Sequence, residues 1–135
     1  MIVAAAVDGS SDSKHLVAEA AELADALRRE LHVVHVMEKS DMKQGTGDVE
    51  GPDTRSIKQQ AEDLAADTAS EISANFTPIG LIGKPAREIV TYTENHDIDY
   101  LIIGGKQQSP VGKAVFGSTT QQILLNTDCN VITVN

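Results

Sequence analysis

The sequence contains one cysteine, Cys129, no tryptophan, two tyrosines and two phenylalanines. An internal disulfide needs a second cysteine, so we expect Cys129 to be a buried thiol in a protein of the reducing cytoplasm. No apolar run reaches the roughly 18 residues of a membrane-spanning helix, so we expect no contact with a membrane. Residues 1–7 are apolar and carry no basic leader. We predict a strand there, with a shortened signal peptide as the alternative.

The charge of the chain is strongly acidic, because 20 aspartates and glutamates outnumber 11 lysines and arginines, for a net charge of −9. A protein that binds duplex nucleic acid needs a basic face, so we expect no nucleic-acid partner. A hydrated carboxylate surface favours solubility and also suits a salt-rich cytoplasm, which we state as a hypothesis. The length fits one domain over residues 1–135.

Short apolar runs alternate along the chain with amphipathic segments. We predict strands at 2–7, 31–37, 76–82, 100–103 and 131–134, and helices at 12–29, 56–75, 85–96 and 118–127. This alternation is typical of a parallel sheet that is covered on both faces and joined by right-handed crossovers. The polar segment 39–55 contains several glycines and a proline, and we predict a long loop there. Its composition leaves open whether it folds over a ligand.

The segment after the fourth predicted strand reads GGKQQSPVGKAVFGST over residues 104–119. Parallel sheets bind ligands beyond the carboxyl ends of their strands, so this loop is a candidate site. A Walker motif would need glycine at 107 and serine or threonine at 114, where Gln107 and Ala114 stand. A dinucleotide fingerprint is also absent. Free amides at the start of the next helix favour phosphate, but a capping box from Ser118 to Gln121 would explain the same residues without a ligand.

A second candidate position is Asp8, at the end of the first predicted strand. An acid at this point can accept hydrogen bonds from a ribose or contact Mg²⁺ bound to phosphates. Capping of the following helix is the alternative. The residues from Asp8 to Ser13 also resemble in part the SGGxDS loop with which ATP pyrophosphatases grip pyrophosphate, although Asp8 and Ser10 depart from that pattern.

The four histidines favour neither a metal site nor catalysis. His32 and His35 are an odd number of residues apart in a strand, so they point to opposite faces and cannot share a metal. His15 and His96 fall in predicted helices without acids that would complete a motif. We therefore expect solvated or core-edge histidines, no resident metal and no catalytic residue, since no general base stands beside a nucleophile.

Several short motifs, taken in order, resemble the universal stress protein family over essentially the whole chain. They are Val7-Asp8-Gly9-Ser10, His35-Val36, Gly83-Lys84-Pro85, the run from His96 to Gly104, Gly117-Ser118 and the closing Val131-Ile132-Thr133-Val134. The resemblance implies a three-layer α/β sandwich of the adenine nucleotide alpha hydrolase-like type. Its five-stranded parallel sheet would have the strand order 3-2-1-4-5.

The resemblance also implies a cradle for a nucleotide. Nucleotide-binding members carry a glycine, two residues, a second glycine, nine residues, and then a glycine with serine or threonine. Gly104, Gly117 and Ser118 match the outer positions of this pattern, while Gln107 replaces the middle glycine. A side chain at that position can obstruct the close approach of the backbone to the phosphates.

Further contacts follow from the same resemblance. Asp8 would lie near the ribose and phosphates, and Val36 would offer backbone contacts to adenine. Lys113 falls where a basic residue is common, and Lys106 is also near enough to reach phosphate oxygens. The implied ligand is ATP or another adenine nucleotide, and Mg²⁺ would enter only with that nucleotide, through Asp8.

The implied function is that of a cytoplasmic stress-response protein that senses or stores an adenine nucleotide and is not an enzyme. The family commonly dimerises through the last strand, and an apolar edge strand at 131–134 would otherwise be an unpaired template, so we expect a homodimer. Two alternatives remain. One is a nucleotide-free dimeric interaction module, favoured by Gln107, and the other is an adenylating ATP pyrophosphatase that acts through residues 8–13.

Overall fold

The computed structural model describes residues 1–38, 54–108 and 114–134. Its strands are β1 Ile2–Val7, β2 Glu30–Met37, β3 Thr77–Ile82, β4 Ile98–Gly104, β5 Lys106–Gln108, β6 Ala114–Phe116 and β7 Asn130–Val134. Five of them form one sheet in the order β3-β2-β1-β4-β7. Every pair of neighbours in this sheet is parallel. The predicted order 3-2-1-4-5 is therefore confirmed, since β7 is the fifth strand of the sheet.

Helices cover both faces of the sheet. They are α1 Ser13–Leu27, α2 Thr54–Ser70, α3 Pro85–Asn95 and α4 Ser118–Asn126. One apolar cluster joins the sheet to α1 and α2, and a second joins it to α3 and α4. The predicted three-layer sandwich is confirmed. None of the described helices is both long enough and apolar enough to cross a membrane.

The central strand β1 serves both layers because successive side chains of a strand point to opposite faces. Val3, Ala5 and Val7 belong to the cluster with α1 and α2, whereas Ala4 belongs to the cluster with α3 and α4. All four side chains are buried. A strand buried on both faces reads as a continuous apolar run, which is why this segment shows no polar alternation.

The helix α2 lies unusually close to the sheet at Gly80 of β3. A Cβ atom on Gly80 would lie 2.3 Å from the Lys58 carbonyl oxygen and 2.5 Å from the Glu62 backbone nitrogen. On the same helix Ala61 and Ala65 are fully buried. The alanine stripe of α2 and the glycine of β3 together allow this close packing of helix on strand.

Two local features differ from the sequence prediction. Helix α2 was expected to reach residue 75 but ends at Ser70. Beyond it, the Ser73 N–H still donates to the Ala69 carbonyl, the Asn75 N–H donates to the Ser73 hydroxyl, and Ile72 is exposed. The predicted loop after β4 instead contains the antiparallel pair β5–β6. Strands of three residues are too short to show an alternating pattern.

Candidate functional site

A cleft opens at the carboxyl ends of β1, β2 and β4, between the first turns of α1 and α4. Its volume of about 780 Å³ falls within the range of small-molecule sites. Five of the residues predicted to contact a nucleotide line this cleft, namely Asp8, Val36, Gly104, Gly117 and Ser118. The sixth, Lys113, lies outside the described residues. The structure therefore brings together the predicted residues that it describes, and their role in binding stays a prediction.

The loop after β1 shapes one wall of the cleft. Gly9 has a φ of +85°, a conformation that other residues rarely adopt, and this lets the chain turn directly after Asp8. The Ser10 N–H donates to Asp8 Oδ1 at 2.9 Å, and the Ser13 hydroxyl donates to the same oxygen at 3.1 Å. Asp8 thus accepts bonds within its own loop, and the N-cap of α1 is Asp12, so the helix-capping alternative for Asp8 is wrong.

The protonation of Asp8 follows from these contacts. Partial burial raises the pKa of the carboxyl, but the hydrogen bonds from Ser10 and Ser13 together outweigh it. The net effect is a pKa below the ordinary value of 3.8. Hydrogen bonds to the charged form favour that form, so Asp8 presents a carboxylate to the cleft at neutral pH.

The first turn of α4 shapes the opposite wall. Gly117 is the N-cap residue and has no side chain with which to cap the helix. Its carbonyl accepts the Gln121 N–H at 3.0 Å. The capping box expected from Ser118 to Gln121 is therefore wrong, because Ser118 is already the first helical residue. The leading N–H groups of a helix have no acceptor within the helix. In this protein those of α4 border the cleft.

The end of β4 is tied to α4 and left open on the cleft side. The Thr120 hydroxyl donates to the Gly104 carbonyl at 2.7 Å. A Cβ atom on Gly104 would meet only Leu16 Cδ1, at an ordinary contact distance of 3.8 Å. Packing within the described residues therefore does not require a glycine at 104. The predicted middle position, Gln107, lies in β5 opposite Val115.

The two histidines of β2 are buried and hydrogen-bonded rather than solvated. His35 lines the cleft, and its Nδ1–H donates to the Val7 carbonyl at 2.8 Å. His32 is buried against α3, where its Nδ1 bonds the Tyr92 hydroxyl. Among the described residues, no group of three or more histidine, cysteine, aspartate or glutamate side chains is placed to hold a metal.

Sequence reasoning assigned no role at the site to three residues that shape the cleft. They are Ser13, His35 and Thr120, all of them buried polar side chains. His35 could have been found from its place in β2, where it pairs in register with Val7, the last residue of β1. The other two hydroxyls carry no such signal, because serine and threonine near a helix start are ordinarily read as caps.

Comparison with known proteins agrees with this architecture. The chain matches the universal stress protein family over residues 1–135. The structure of a universal stress protein from Archaeoglobus fulgidus is similar with a TM-score of 0.73 at 23% identity, and the match covers 99% of this chain and 97% of that one. The Archaeoglobus fulgidus protein in complex with dAMP gives a TM-score of 0.66 at 21% identity, over 99% and 96% of the two chains.

A universal stress protein in complex with cAMP is similar with a TM-score of 0.67 at 18% identity, over 100% of this chain and 96% of that one. The search of curated protein sequences found no match. The identities to these solved structures are low, so the structural likeness concerns the fold. The family match extends over all 135 residues and agrees with the sheet order found here, and the chain belongs to the universal stress protein family.

Proposed function

We propose that the cleft binds an adenine nucleotide, with ATP as the first candidate, and that the protein is a cytoplasmic sensor or regulator in a stress response. One observation carries the proposal. The uncapped start of α4 and the charged carboxylate of Asp8 lie on one cleft at the carboxyl ends of the strands. Two structurally similar members of the family are complexes with dAMP and cAMP, which supports an adenine nucleotide as the ligand.

The N-terminus of α4 is the natural position for the phosphates. Its free N–H groups and helix dipole favour an anion, and Gly117 and Ser118 are its first residues on the cleft. Gly104 faces them from the end of β4 and has room for close approach of a ligand, because its Cβ position is open. Val36, at the far side of the cleft, offers its backbone to the base, and Lys113 is proposed to reach phosphate oxygens.

Magnesium fits this site only together with a nucleotide. Mg²⁺ in nucleotide sites is ordinarily held by one or two carboxylates plus phosphate oxygens. The Ser10 N–H and the Ser13 hydroxyl both donate to Asp8 Oδ1, and we propose that Oδ2 serves a ribose hydroxyl or the metal. The described lining residues include Asp8, Asp12 and Glu38 but no lysine or arginine. These carboxylates repel a triphosphate more than a monophosphate, which supports binding of the triphosphate as its Mg²⁺ complex.

We propose that the nucleotide is bound without turnover. The Ser13 hydroxyl donates to the Asp8 carboxylate and not to an imidazole, so it is not activated as a nucleophile. The His35 ring uses its Nδ1–H on the Val7 carbonyl. The adenylating pyrophosphatase stays the enzyme alternative for residues 8–13. Steady release of pyrophosphate from ATP by the purified protein would favour that alternative over the sensor.

We propose that the protein is a homodimer that pairs through β7. This strand is at the edge of the sheet, and Ile132 is 38% exposed on it. An exposed apolar edge strand is a template for pairing with another strand. A second copy of this chain supplies such a strand, and pairing would cover Ile132 in both copies.

Thermal unfolding with added ligand tests the nucleotide proposal. A ligand at a hundred times its dissociation constant raises the free energy of unfolding by about 2.7 kcal/mol. We expect Mg-ATP or AMP to raise the melting temperature of the wild-type protein, with GTP as the comparison. Gln107→Gly restores the family's middle glycine and should enlarge the shift, whereas Gln108→Gly, one residue along β5, should not. No shift in any of the three proteins would favour the nucleotide-free dimer.

A further inference from the structure

The peptide group that joins Val7 to Asp8 is held from both sides by side chains. Strand β1 ends at Val7, so this is the first peptide group beyond the strand. Its carbonyl accepts the His35 Nδ1–H at 2.8 Å, and its N–H donates to Ser13 Oγ at 3.4 Å. Because a peptide group is planar, holding its carbonyl and its N–H fixes the orientation of the whole unit.

The two side chains that hold this peptide come from different elements and are themselves buried. His35 belongs to β2 and is 8% exposed, and Ser13 is the first residue of α1 and is 3% exposed. Burying a polar side chain costs free energy unless its hydrogen bonds are made. His35 and Ser13 both make their hydrogen bonds to the Val7–Asp8 peptide group. These bonds therefore connect β2 and α1 through the end of β1.

Ser13 also acts on the carboxylate of Asp8. Its hydroxyl accepts a hydrogen bond from the Asp8 N–H and donates one to Asp8 Oδ1 at 3.1 Å, so it is both acceptor and donor. The Ser10 N–H supplies a second bond to the same oxygen at 2.9 Å. The backbone and the carboxylate of Asp8 are therefore held by one connected set of hydrogen bonds.

We propose that His35 and Ser13 are positioning residues that prepare Asp8 for the ligand, with His35 acting through its Nδ1–H bond to Val7 and not through contact with the ligand. The inference rests on the proposed nucleotide site. A side chain that is already ordered loses less conformational freedom when a ligand binds, so preorganisation of Asp8 increases affinity. Loss of either positioning residue should lower affinity even where the fold survives.

Two amide substitutions separate the two ring nitrogens of His35. The amide nitrogen of asparagine stands about where Nδ1 stands, while that of glutamine stands about where Nε2 stands. We expect His35→Asn to keep the affinity for Mg-ATP and for dAMP within about twofold, because the donor to Val7 is kept, and His35→Gln to lose about tenfold. Isothermal titration calorimetry measures both. Equal losses in the two variants would overturn the role of the Val7 bond.

A matched pair of substitutions tests the role of Ser13. Ser13→Ala removes the hydroxyl and should weaken binding about tenfold, while Ser13→Thr keeps a hydroxyl and should restore most of it. Ser11→Ala is the control, because Ser11 is exposed in the same loop and does not line the cleft. Thr93→Val removes a buried hydroxyl that does not line the cleft and should lower stability without changing affinity. Binding by Ser13→Ala that equals binding by Ser11→Ala would contradict the proposal.

A readout without ligand separates this inference from the proposed function. If the wild-type protein binds none of the nucleotides, the proposed function fails. The positioning role of His35 and Ser13 is then judged from hydrogen exchange of the Asp8 amide. We expect this amide to exchange at least about tenfold faster in Ser13→Ala and His35→Gln than in wild type, and to remain protected in His35→Asn. An Asp8 amide with the same exchange rate in all of these proteins would overturn the inference.

Discussion

Asp8 and His32 both have lowered pKa values, but for opposite reasons and with opposite effects on charge. Hydrogen bonds to Asp8 outweigh its burial and favour the charged carboxylate. For His32, burial is the largest cause and favours the neutral ring, while Glu30 opposes the shift and His96 adds to it. The immediate surroundings of each side chain therefore decide which protonation state the folded protein keeps.

The hydrogen bonds to Asp8 predict that the free energy of unfolding falls at acidic pH. Because the folded pKa lies below 3.8, the carboxylate stabilises the protein above that value, and this part is lost as the pH falls through the folded pKa. Asp8→Asn should lower stability at neutral pH by about 1–2 kcal/mol and reduce the loss on acidification. Urea unfolding over a pH series measures this. Asp12→Asn is the control, since the Asp12 side chain makes no cap bond, and an equal effect in both variants would contradict the prediction.

The buried pair of His32 and Tyr92 predicts a second residue-scale effect. Tyr92→Phe leaves His32 Nδ1 without its partner in a buried site and should cost about 1–3 kcal/mol. Because burial lowers the pKa of His32 from 6.5, the unfolded chain takes up this proton first, and stability should fall as the pH drops below 6.5. Urea unfolding of His32→Leu should lack this part of the fall. Tyr100→Phe, at the other tyrosine of the chain, should leave stability unchanged within about 0.5 kcal/mol.

At the scale of the element, α2 and β3 depend on the absence of a side chain at Gly80. Gly80→Ala places a Cβ atom 2.3 Å from the Lys58 carbonyl, which is backbone and cannot swing away. We expect a loss of at least about 3 kcal/mol in the free energy of unfolding, measured with urea. Gly104→Ala is the matched change at an open position and should cost less than about 1 kcal/mol, while it weakens nucleotide binding. Equal destabilisation by the two would be the contrary result.

The elements also show how far sequence reasoning reaches in this protein. The five strands of the main sheet were predictable because each is a short apolar run between polar segments, and the helices because their apolar residues recur at helical spacing. The end of α2 was not, since Ile72 keeps the helical spacing of apolar residues although the helix ends at Ser70. At the site, glycines and Asp8 were visible as motifs. His35 and Ser13 also stood in motifs, but their roles were not visible, because these depend on partners that only the fold brings near.

At the scale of the whole molecule, the net charge of −9 predicts a dependence of stability on salt. Carboxylates held close together in the folded state repel one another, and salt screens this repulsion, since the Debye length falls from about 10 Å at 0.1 M to about 3 Å at 1 M. We expect the melting temperature to rise by roughly 4 °C between these KCl concentrations, which corresponds to about 1 kcal/mol. A melting temperature that falls or stays constant would remove the reason to invoke a salt-rich setting.

The proposed homodimer is a second property of the whole molecule that can be tested. If β7 pairs with its copy, then Ile132→Lys places a charge in the pairing edge and should convert a dimer into a monomer, as measured by light scattering. Ile72→Lys is the control, because Ile72 is similarly exposed, at 36%, but lies beyond the end of α2 and away from that edge. A wild-type protein that is already monomeric would exclude the dimer.

The central place of β1 has a consequence for the order in which the chain becomes native during synthesis. This first strand pairs on one side with β2, in the register Ile2 to Glu30, and on the other with β4, in the register Ile2 to Ile98. Its second neighbour, β4 Ile98–Gly104, is therefore synthesised only when about three quarters of the 135 residues have been made. Until then the edge of β1 that pairs with β4 has no partner strand, so the nascent chain carries an unpaired apolar strand edge for most of its translation.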